Sequence, residues 1–299
     1  PLPALTSGVV QAWIDDLHDG RVGARLVVVG KERTYRPLSP KTIADRHALL
    51  HAVVKYAAAS SRGWLSGDPC DSTDLPRRPK NHAKGLRPAE WQALTRALRQ
   101  INPDSADLAE FLLATGWRWG EATALSKWDV EDDGRSVWVT VTQVMRRDAT
   151  GRAKIVPDAK SEAGMSRRVK LGTAAAEMVR RRVAACEPGG LVFTTNTGAA
   201  FHYSHFRNRS WNPAVKAANL ARKPTPHWLR HTHVAWMVAA GAKLPELQAR
   251  IGHASIKTTI DVYGSLVNDV SDSALGGFDA ISAGAASSIG PAISAVGAR

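Results

Sequence analysis

A short segment between residues 76 and 88 constrains the fold most, because it cannot belong to a packed core. Its sequence, PRRPKNHAKGLRP, contains three prolines, five basic residues and no acidic residue. Proline removes backbone donors and the charges resist burial, so we predict an extended linker. The chain then divides into an N-terminal unit, residues 1–75, and a longer unit, residues 89–270. A length of 299 residues is enough for two domains of ordinary size.

The charge balance favours a polyanionic partner. Lys and Arg total 40 against 27 Asp and Glu, which gives a formal net charge of +13. Hydrophobic residues make up 44% of the chain, as in ordinary globular proteins, so the excess charge belongs to a folded protein. A basic but passive surface, or a merely solvated linker, is the alternative. The linker residues that we predict to follow a phosphate backbone are Arg77, Arg78, Lys80, Lys84 and Arg87.

Helical periodicity dominates both units. In the first unit, apolar residues recur at helical spacing over 7–17, behind a serine cap, and over 40–57. Residues 26–35 between these helices suit either a hairpin or a loop. Helical patterns in the second unit cover 88–98, 106–114, 174–185, 203–218, 227–240 and 244–251. Strand patterns at 137–141, 154–156 and 167–171 predict one small sheet. The predicted fold class is mainly α with a small β-sheet, an α+β domain behind a helical N-terminal domain.

The C-terminal tail, the cysteines and the apolar runs indicate the expected compartment and the order of the chain end. Residues 271–299 are rich in Ala, Ser and Gly, which predicts a tail that is disordered or packs in trans. Cys70 and Cys186 form no CxxC pair, so we expect a reducing compartment without disulfides or a thiolate zinc site. No apolar run approaches the roughly 20 residues of a membrane span, and no signal peptide is evident, so we expect a cytoplasmic protein. The first residue is proline, which suggests processing or excision from a longer chain.

Three segments of the second unit concentrate arginine, histidine and tyrosine. In TGWRWGEATAL, Arg118 and Glu121 stand three residues apart and could also be a surface ion pair. In PHWLRHT, His227 and Arg230 share one side of a helix, which suits binding and proton transfer at a phosphate. IGHASIKTTIDVY ends on Tyr263, which could otherwise be a buried aromatic residue with a bonded hydroxyl.

A zinc site is the metal alternative for the second segment. His227 and His231 stand four residues apart, the spacing of two zinc ligands on a helix. The glutamate that a metalloprotease carries beside the first histidine is missing. We therefore expect no metal at this position.

In this order and with these separations, the three segments resemble the box motifs of the tyrosine recombinases, the phage integrase family. The resemblance extends from about residue 86 to residue 270, and the helical unit lies where the family carries its core-site DNA-binding domain. It implies two phosphate-binding arginines, two active-site histidines, a lysine and a tyrosine nucleophile, with Glu121 supporting the first arginine. The implied catalytic residues are Arg118, Lys160, His227, Arg230, His253 and Tyr263.

The lysine is the least direct of these assignments. The family carries it in a turn between two strands of the small sheet, and Lys160 stands between IVPDA and SRRV. This turn is about two residues longer than the commonest version, so Lys154 remains a rival. Trp228 is a further departure, because many relatives have Asp after the histidine.

The chemistry follows from the residue types. Displacement at a phosphodiester adds charge to the nonbridging oxygens, which Arg118 and Arg230 would stabilise without a metal or cofactor. His227 is the candidate base for the Tyr263 hydroxyl, and Lys160 can protonate the departing sugar oxygen. Attack by the tyrosine would conserve the bond energy as a phosphotyrosine.

The resemblance implies a site-specific DNA recombinase or integrase that acts through a 3'-phosphotyrosyl intermediate. Its implied partners are double-stranded attachment-site DNA, three further copies in a homotetramer, and accessory directionality or DNA-bending factors, at the nucleoid of a bacterial host and away from membranes. The alternatives are a type IB-like topoisomerase or telomere resolvase, and a catalytically inactive DNA-binding regulator. The regulator is disfavoured because every proposed catalytic group is present.

Overall fold

The computed structural model describes residues 4–23, 26–29, 32–59, 64–65, 67–77, 85–148, 150–157 and 167–252, with the backbone alone at 26–34. The chain separates into two compact units, residues 1–81 and 82–299. The described helices are α1 (Ser7–Asp19), α2 (Pro40–Ala58), α3 (Pro88–Ile101), α4 (Pro103–Thr115), α5 (Trp119–Ala122), α6 (Thr173–Ala184), α7 (Tyr203–His205), α8 (Asn212–Ala217), α9 (Trp228–Ala239) and α10 (Leu244–Ile251). The described strands are β1 (Leu26–Val29), β2 (Glu32–Tyr35), β3 (Val130–Asp132), β4 (Val137–Thr140), β5 (Val144–Arg147), β6 (Ala153–Val156) and β7 (Arg168–Lys170). The predicted fold class is confirmed.

The first unit contains two helices and a hairpin. The cap of α1 is Thr6, whose hydroxyl accepts from the Val9 N–H at 3.3 Å, and the predicted serine is the first helical residue instead. Ser39 caps α2, with Pro40 in its first turn as predicted. The backbone of β1 and β2 pairs antiparallel, which decides the open choice at 26–35 for a hairpin. The buried core of this unit consists of Val10, Ile14, Leu17, Ile43, Val54 and Cys70.

Helix α4 lies at the centre of the second unit. It packs against α3, α5, α6 and α9, and nine of its 13 residues are buried. The ring of Phe111 on α4 packs against the rings of Trp117 and Phe193, with centroid distances of 5.3 and 4.8 Å. Burying such large rings supplies much of the stability of a core. The chain that leaves α4 therefore starts from a rigid base.

The strands of this unit form two ladders. The first is antiparallel in the order β3-β4-β7, with Val139 opposite Val169. The second pairs β5 with β6. The prediction of one small sheet is wrong at 154–156, because this strand pairs with residues 144–147. The sequence Val-Met-Arg-Arg at 144–147 lacks alternation, so the hairpin was not visible in the pattern.

The predicted helix over 203–218 is interrupted. Between α7 and α8, residues Phe206–Trp211 wind as a π-helix. Pro213 lies in the first turn of α8 and has no N–H to donate to the preceding turn, which favours a wider winding before it. Within the described part of the chain, no helix is both long and apolar enough to span a bilayer.

Candidate active site

Three segments that are distant in sequence meet at one wall of the second unit. Arg230 on α9 donates from Nη1 to the Gly116 carbonyl at 2.6 Å and from Nη2 to the Ile251 carbonyl at 2.7 Å. Arg118 donates from Nη2 to the Gly252 carbonyl at 3.4 Å. Both arginines thus bind consecutive carbonyls at the end of α10, the negative pole of that helix.

The exit from α4 sets the position of Arg118. Helix α4 ends on Gly116, whose φ of 66° is left-handed, and a Cβ there would lie 2.6 Å from the His233 ring. Glycine is therefore required at this turn. Arg118 then caps α5 through Glu121, which accepts from the Arg118 backbone N–H at 2.7 Å and from its Nη1 at 2.9 Å. The Arg118 side chain remains 39% exposed.

Helix α9 presents the other two predicted groups. His227 is the residue before its first turn and is exposed, whereas Arg230 is buried. Both line a pocket of about 140 Å³, so they face the same space. The other lining residues are Leu112, Trp117, Trp119, Tyr203 and Pro226. The His227 ring meets His231 edge to face at 5.0 Å.

Glu121 is the buried carboxylate of the site. Besides Arg118 it accepts from both terminal nitrogens of Arg167. Burial would raise the pKa of Glu121, but the hydrogen bonds and charges of the two arginines bring that pKa below its ordinary value. Glu121 is therefore ionised at neutral pH.

His233 is a structural histidine beside the site. Its Nδ1 pairs with the Leu113 carbonyl at 2.8 Å, and its Nε2 accepts from Arg250 Nε at 3.2 Å. Burial, with the charge of Arg250, lowers the pKa of His233 to about 3. Arg250 also donates to the carbonyls of Lys170 and Ala114, which ties α10 to β7 and α4. The neutral His233 therefore fixes the frame around Gly116.

The structure brings together Arg118, Glu121, His227 and Arg230 among the predicted site residues. Lys160, His253, Tyr263, Arg78, Lys80 and Lys84 lie outside the described residues, as does the tail at 271–299. Arg77 is exposed, and Arg87 caps α3 with Glu90 while its side chain stays 80% exposed. Lys154 is exposed on β6 opposite Arg146. The catalytic and DNA-binding roles of all these residues stay predictions.

Sequence reasoning missed Arg167, Arg250 and the aromatic lining. Arg167 is the first arginine of the stretch SRRV, which follows Lys160. This stretch predicted a strand, but its pattern indicated no role for Arg167. The pairing of Arg167 with Glu121 joins residues 46 positions apart, and no local pattern reports such a contact.

The second unit matches a known protein family over most of its length. Residues 84–268 match the phage integrase family. The chain is 28% identical over 170 residues to the integrase of Staphylococcus phage L54a, which covers 53% of this chain and 47% of that protein. It is 26% identical over 256 residues to the prophage integrase IntR of Escherichia coli (strain K12). This match covers 78% of this chain and 59% of that protein. The chain thus spans about half the length of these curated relatives.

A solved structure shows the same fold. The integrase of the transposon Tn1549, in complex with a circular intermediate DNA, superimposes with a TM-score of 0.72. The match covers 93% of this chain and 86% of that chain, at 18% sequence identity. At this identity the likeness concerns the fold alone.

Proposed function

This chain belongs to the phage integrase family, and we propose that it is a site-specific DNA recombinase that cuts and rejoins duplex DNA through a phosphotyrosine. The observation that carries the proposal is the pair of arginines at the end of α10. Arg118 and Arg230 bind the adjacent carbonyls of Gly252 and Ile251, beside the pocket that contains His227. Two guanidinium groups so close together form a receptor for one phosphate.

The anchoring of Arg230 supports its role as a phosphate ligand. Each terminal nitrogen of a guanidinium carries two hydrogens, and the carbonyls of Gly116 and Ile251 use one on each. These two bonds hold the guanidinium group in a fixed orientation, and both acceptors are neutral carbonyls. Such preorganised donors stabilise the charge that develops during phosphoryl transfer.

The chemical steps assign one task to each remaining group. The Tyr263 oxygen attacks the phosphorus while His227 takes its proton, and the bond to the 5' sugar oxygen breaks. Lys160 supplies the proton to that oxygen, and His253 supports the phosphate. A second DNA hydroxyl then attacks the 3'-phosphotyrosine and releases the tyrosine. In this step Lys160 takes back a proton from the attacking hydroxyl, and His227 returns its proton to the tyrosine oxygen.

The N-terminal unit binds core-site DNA, four copies act on two attachment sites, and accessory directionality or bending factors assist. The protein works in the bacterial cytoplasm at the nucleoid. Synapsis of two duplexes distinguishes this function from a topoisomerase or telomere resolvase that acts on one duplex.

A covalent-capture experiment tests the proposal without knowledge of the target sequence. The protein is incubated in EDTA with a library of nicked 40-bp duplexes of random central sequence, and SDS-resistant adducts are recovered and sequenced. We expect adducts linked through Tyr263 by mass spectrometry, and none from Tyr263→Phe, which keeps DNA binding. Linkage through another residue, or a strict need for a divalent ion, would contradict the mechanism.

A further inference from the structure

Arg167 is a buried arginine that has no role in the proposed chemical steps, yet it lies between the segments that contain the site residues. Arg167 has a side chain only 5% exposed and directly precedes β7. Its carbonyl accepts from the Val141 N–H at 3.1 Å, just beyond β4. The backbone of Arg167 is therefore tied to the chain beside the small sheet.

Arg167 shares a carboxylate with Arg118. Its Nη1 donates to Glu121 Oε1 at 3.3 Å and its Nη2 donates to Oε2, so both carboxylate oxygens are engaged. Arg118 uses the same two oxygens, through its Nη1 and its backbone N–H. Glu121 therefore cannot turn toward either arginine without losing the other.

This sharing determines the charge that faces the phosphate. A single Glu121–Arg118 pair would be neutral, and an approaching phosphate would meet little net attraction. With Arg167 as the second partner, the three groups together carry one positive charge. Since Arg167 and Glu121 are both buried and Arg118 is 39% exposed, Arg118 is the member that can turn to a phosphate.

Arg167 also packs against the segment that leads to His253. Gly252 has a φ of +64°, and a Cβ there would lie 2.9 Å from Arg167 Nη1 and 3.3 Å from its Cδ and Cζ. The guanidinium group also lies over the Trp117 ring, with Cζ 5.4 Å from the ring centroid. The group thus fills the space between α5 and the end of α10.

We propose that Arg167 is a positioning residue for strand cleavage, because it holds Glu121 so that Arg118 keeps its orientation and an unneutralised charge toward the phosphate. This inference rests on the proposed function. Arg167 itself touches no reacting atom in this scheme, and its effect passes through Glu121 and Arg118.

The first test compares cleavage by Arg167→Gln and Arg167→Lys with the wild type, on a duplex recovered by the covalent capture. Adduct formation is timed under single-turnover conditions, below the melting temperature of every variant. We expect Arg167→Gln to be about 10- to 100-fold slower, as is usual when a reacting group loses its alignment. Arg167→Lys, which keeps the charge without the fork, should lie between the two.

Arg182→Gln is the matched control. Arg182 is also a mostly buried arginine, and it pairs with Asp107 at 2.8 Å and with Asp104 at 2.7 Å, away from the site. Its loss should lower the melting temperature and leave the rate of adduct formation within about twofold of wild type. A rate loss that merely follows stability would appear in this variant as well.

A second variant separates charge balance from packing. Arg167→Gln leaves Glu121 to neutralise Arg118, whereas the double variant Glu121→Gln/Arg167→Gln restores one positive charge. We expect the double variant to form adduct about tenfold faster than Arg167→Gln alone. A structural role would make the double variant slower than either single variant.

The outcomes distinguish the two levels of the proposal. If the wild type forms no adduct, the proposed function fails and the inference fails with it. If the wild type reacts and Arg167→Gln reacts equally fast, or the double variant is slower still, the inference alone is overturned. Should Arg167→Gln not fold, an unchanged rate in Arg167→Lys overturns it and a slower rate with intact DNA binding supports it.

Discussion

At the scale of single residues, the two arginines proposed to bind the phosphate are held by different kinds of partner. Arg230 donates to two neutral carbonyls, which fix its orientation. Arg118 is held by an anion and depends on Arg167 to remain net positive. A buried ion pair costs desolvation energy that only complete hydrogen bonding offsets, and Glu121 meets that condition by serving two arginines.

His233 predicts a specific dependence of stability on pH. Its pKa is about 3 in the folded protein and ordinarily about 6.5, so the unfolded chain binds more protons between these values. The free energy of unfolding should therefore be unaffected above pH 6.5 and fall by up to about 1.4 kcal/mol per pH unit below it. Urea unfolding at pH 7.0, 6.0 and 5.0 measures this slope.

The control for that experiment is His233→Gln. Glutamine can still donate to the Leu113 carbonyl and accept from Arg250, but it does not titrate. Its unfolding free energy should change much less between pH 6.5 and 5.0, a window above the ordinary pKa of Glu121. Equal slopes in the two proteins would show that His233 is not the group responsible.

Single residues also show where sequence reasoning succeeds and fails. The pairing of Arg118 with Glu121 is local, and their spacing of three positions in the sequence indicates it. His227 in the second motif and His233, the residue directly after that motif, look alike in sequence, yet His227 is exposed and His233 is buried. That difference depends on which side of α9 faces α4, and the contact with Arg167 depends on chain pairing over 46 residues.

At the scale of elements, helices were predictable and strand partners were not. Apolar periodicity identifies α3, α4, α6, α9 and α10 because a helix buries one face wherever it packs. Strand pairing is a non-local choice, so residues 154–156 were assigned to the wrong ladder. The π-helical turn at Phe206–Trp211 was equally invisible, since its periodicity differs little from that of an α-helix.

The end of α10 provides a prediction at this scale. Gly252→Ala introduces two costs, the left-handed backbone and a collision with Arg167. Gly241→Ala introduces only the first, since among the described residues no atom lies within 4 Å of its Cβ position. The left-handed term is about 1–2 kcal/mol for each. Gly252→Ala should therefore lower the unfolding free energy more, and it should also slow adduct formation.

Denaturant unfolding and the covalent-capture assay measure these two effects on the same pair of variants. Gly241 follows the C-terminal end of α9, whereas His227 and Arg230 lie at its N-terminal end, so the Gly241 variant should cleave at the wild-type rate. Equal loss of stability in both variants would mean that Arg167 moves aside without cost. The close packing of Arg167 under Gly252 would then carry no functional weight.

At the scale of the whole molecule, the chain separates into two compact units. The division falls at residue 81, inside the segment 76–88 that proline and charge mark as a linker. Its five basic residues have no acidic neighbour in that segment. Elsewhere, exposed basic residues often have carboxylate partners, as Arg21 has Asp16 and Lys41 has Asp45.

The basic residues of the linker should affect DNA binding more than basic residues that are paired with carboxylates. Replacing Arg77, Arg78 and Lys80 with Ala lowers the formal charge from +13 to +10, as does replacing Arg21, Lys41 and Arg180, which are all paired with carboxylates. If the linker follows a phosphate backbone, its three substitutions remove up to three counterion-releasing contacts. The slope of log K against log salt, measured with a 30-bp duplex of arbitrary sequence, should then flatten by up to about 2.7. The paired set should change the slope far less, because those charges are already compensated. Equal changes in both sets would mean that only net charge matters and that the linker makes no direct phosphate contacts.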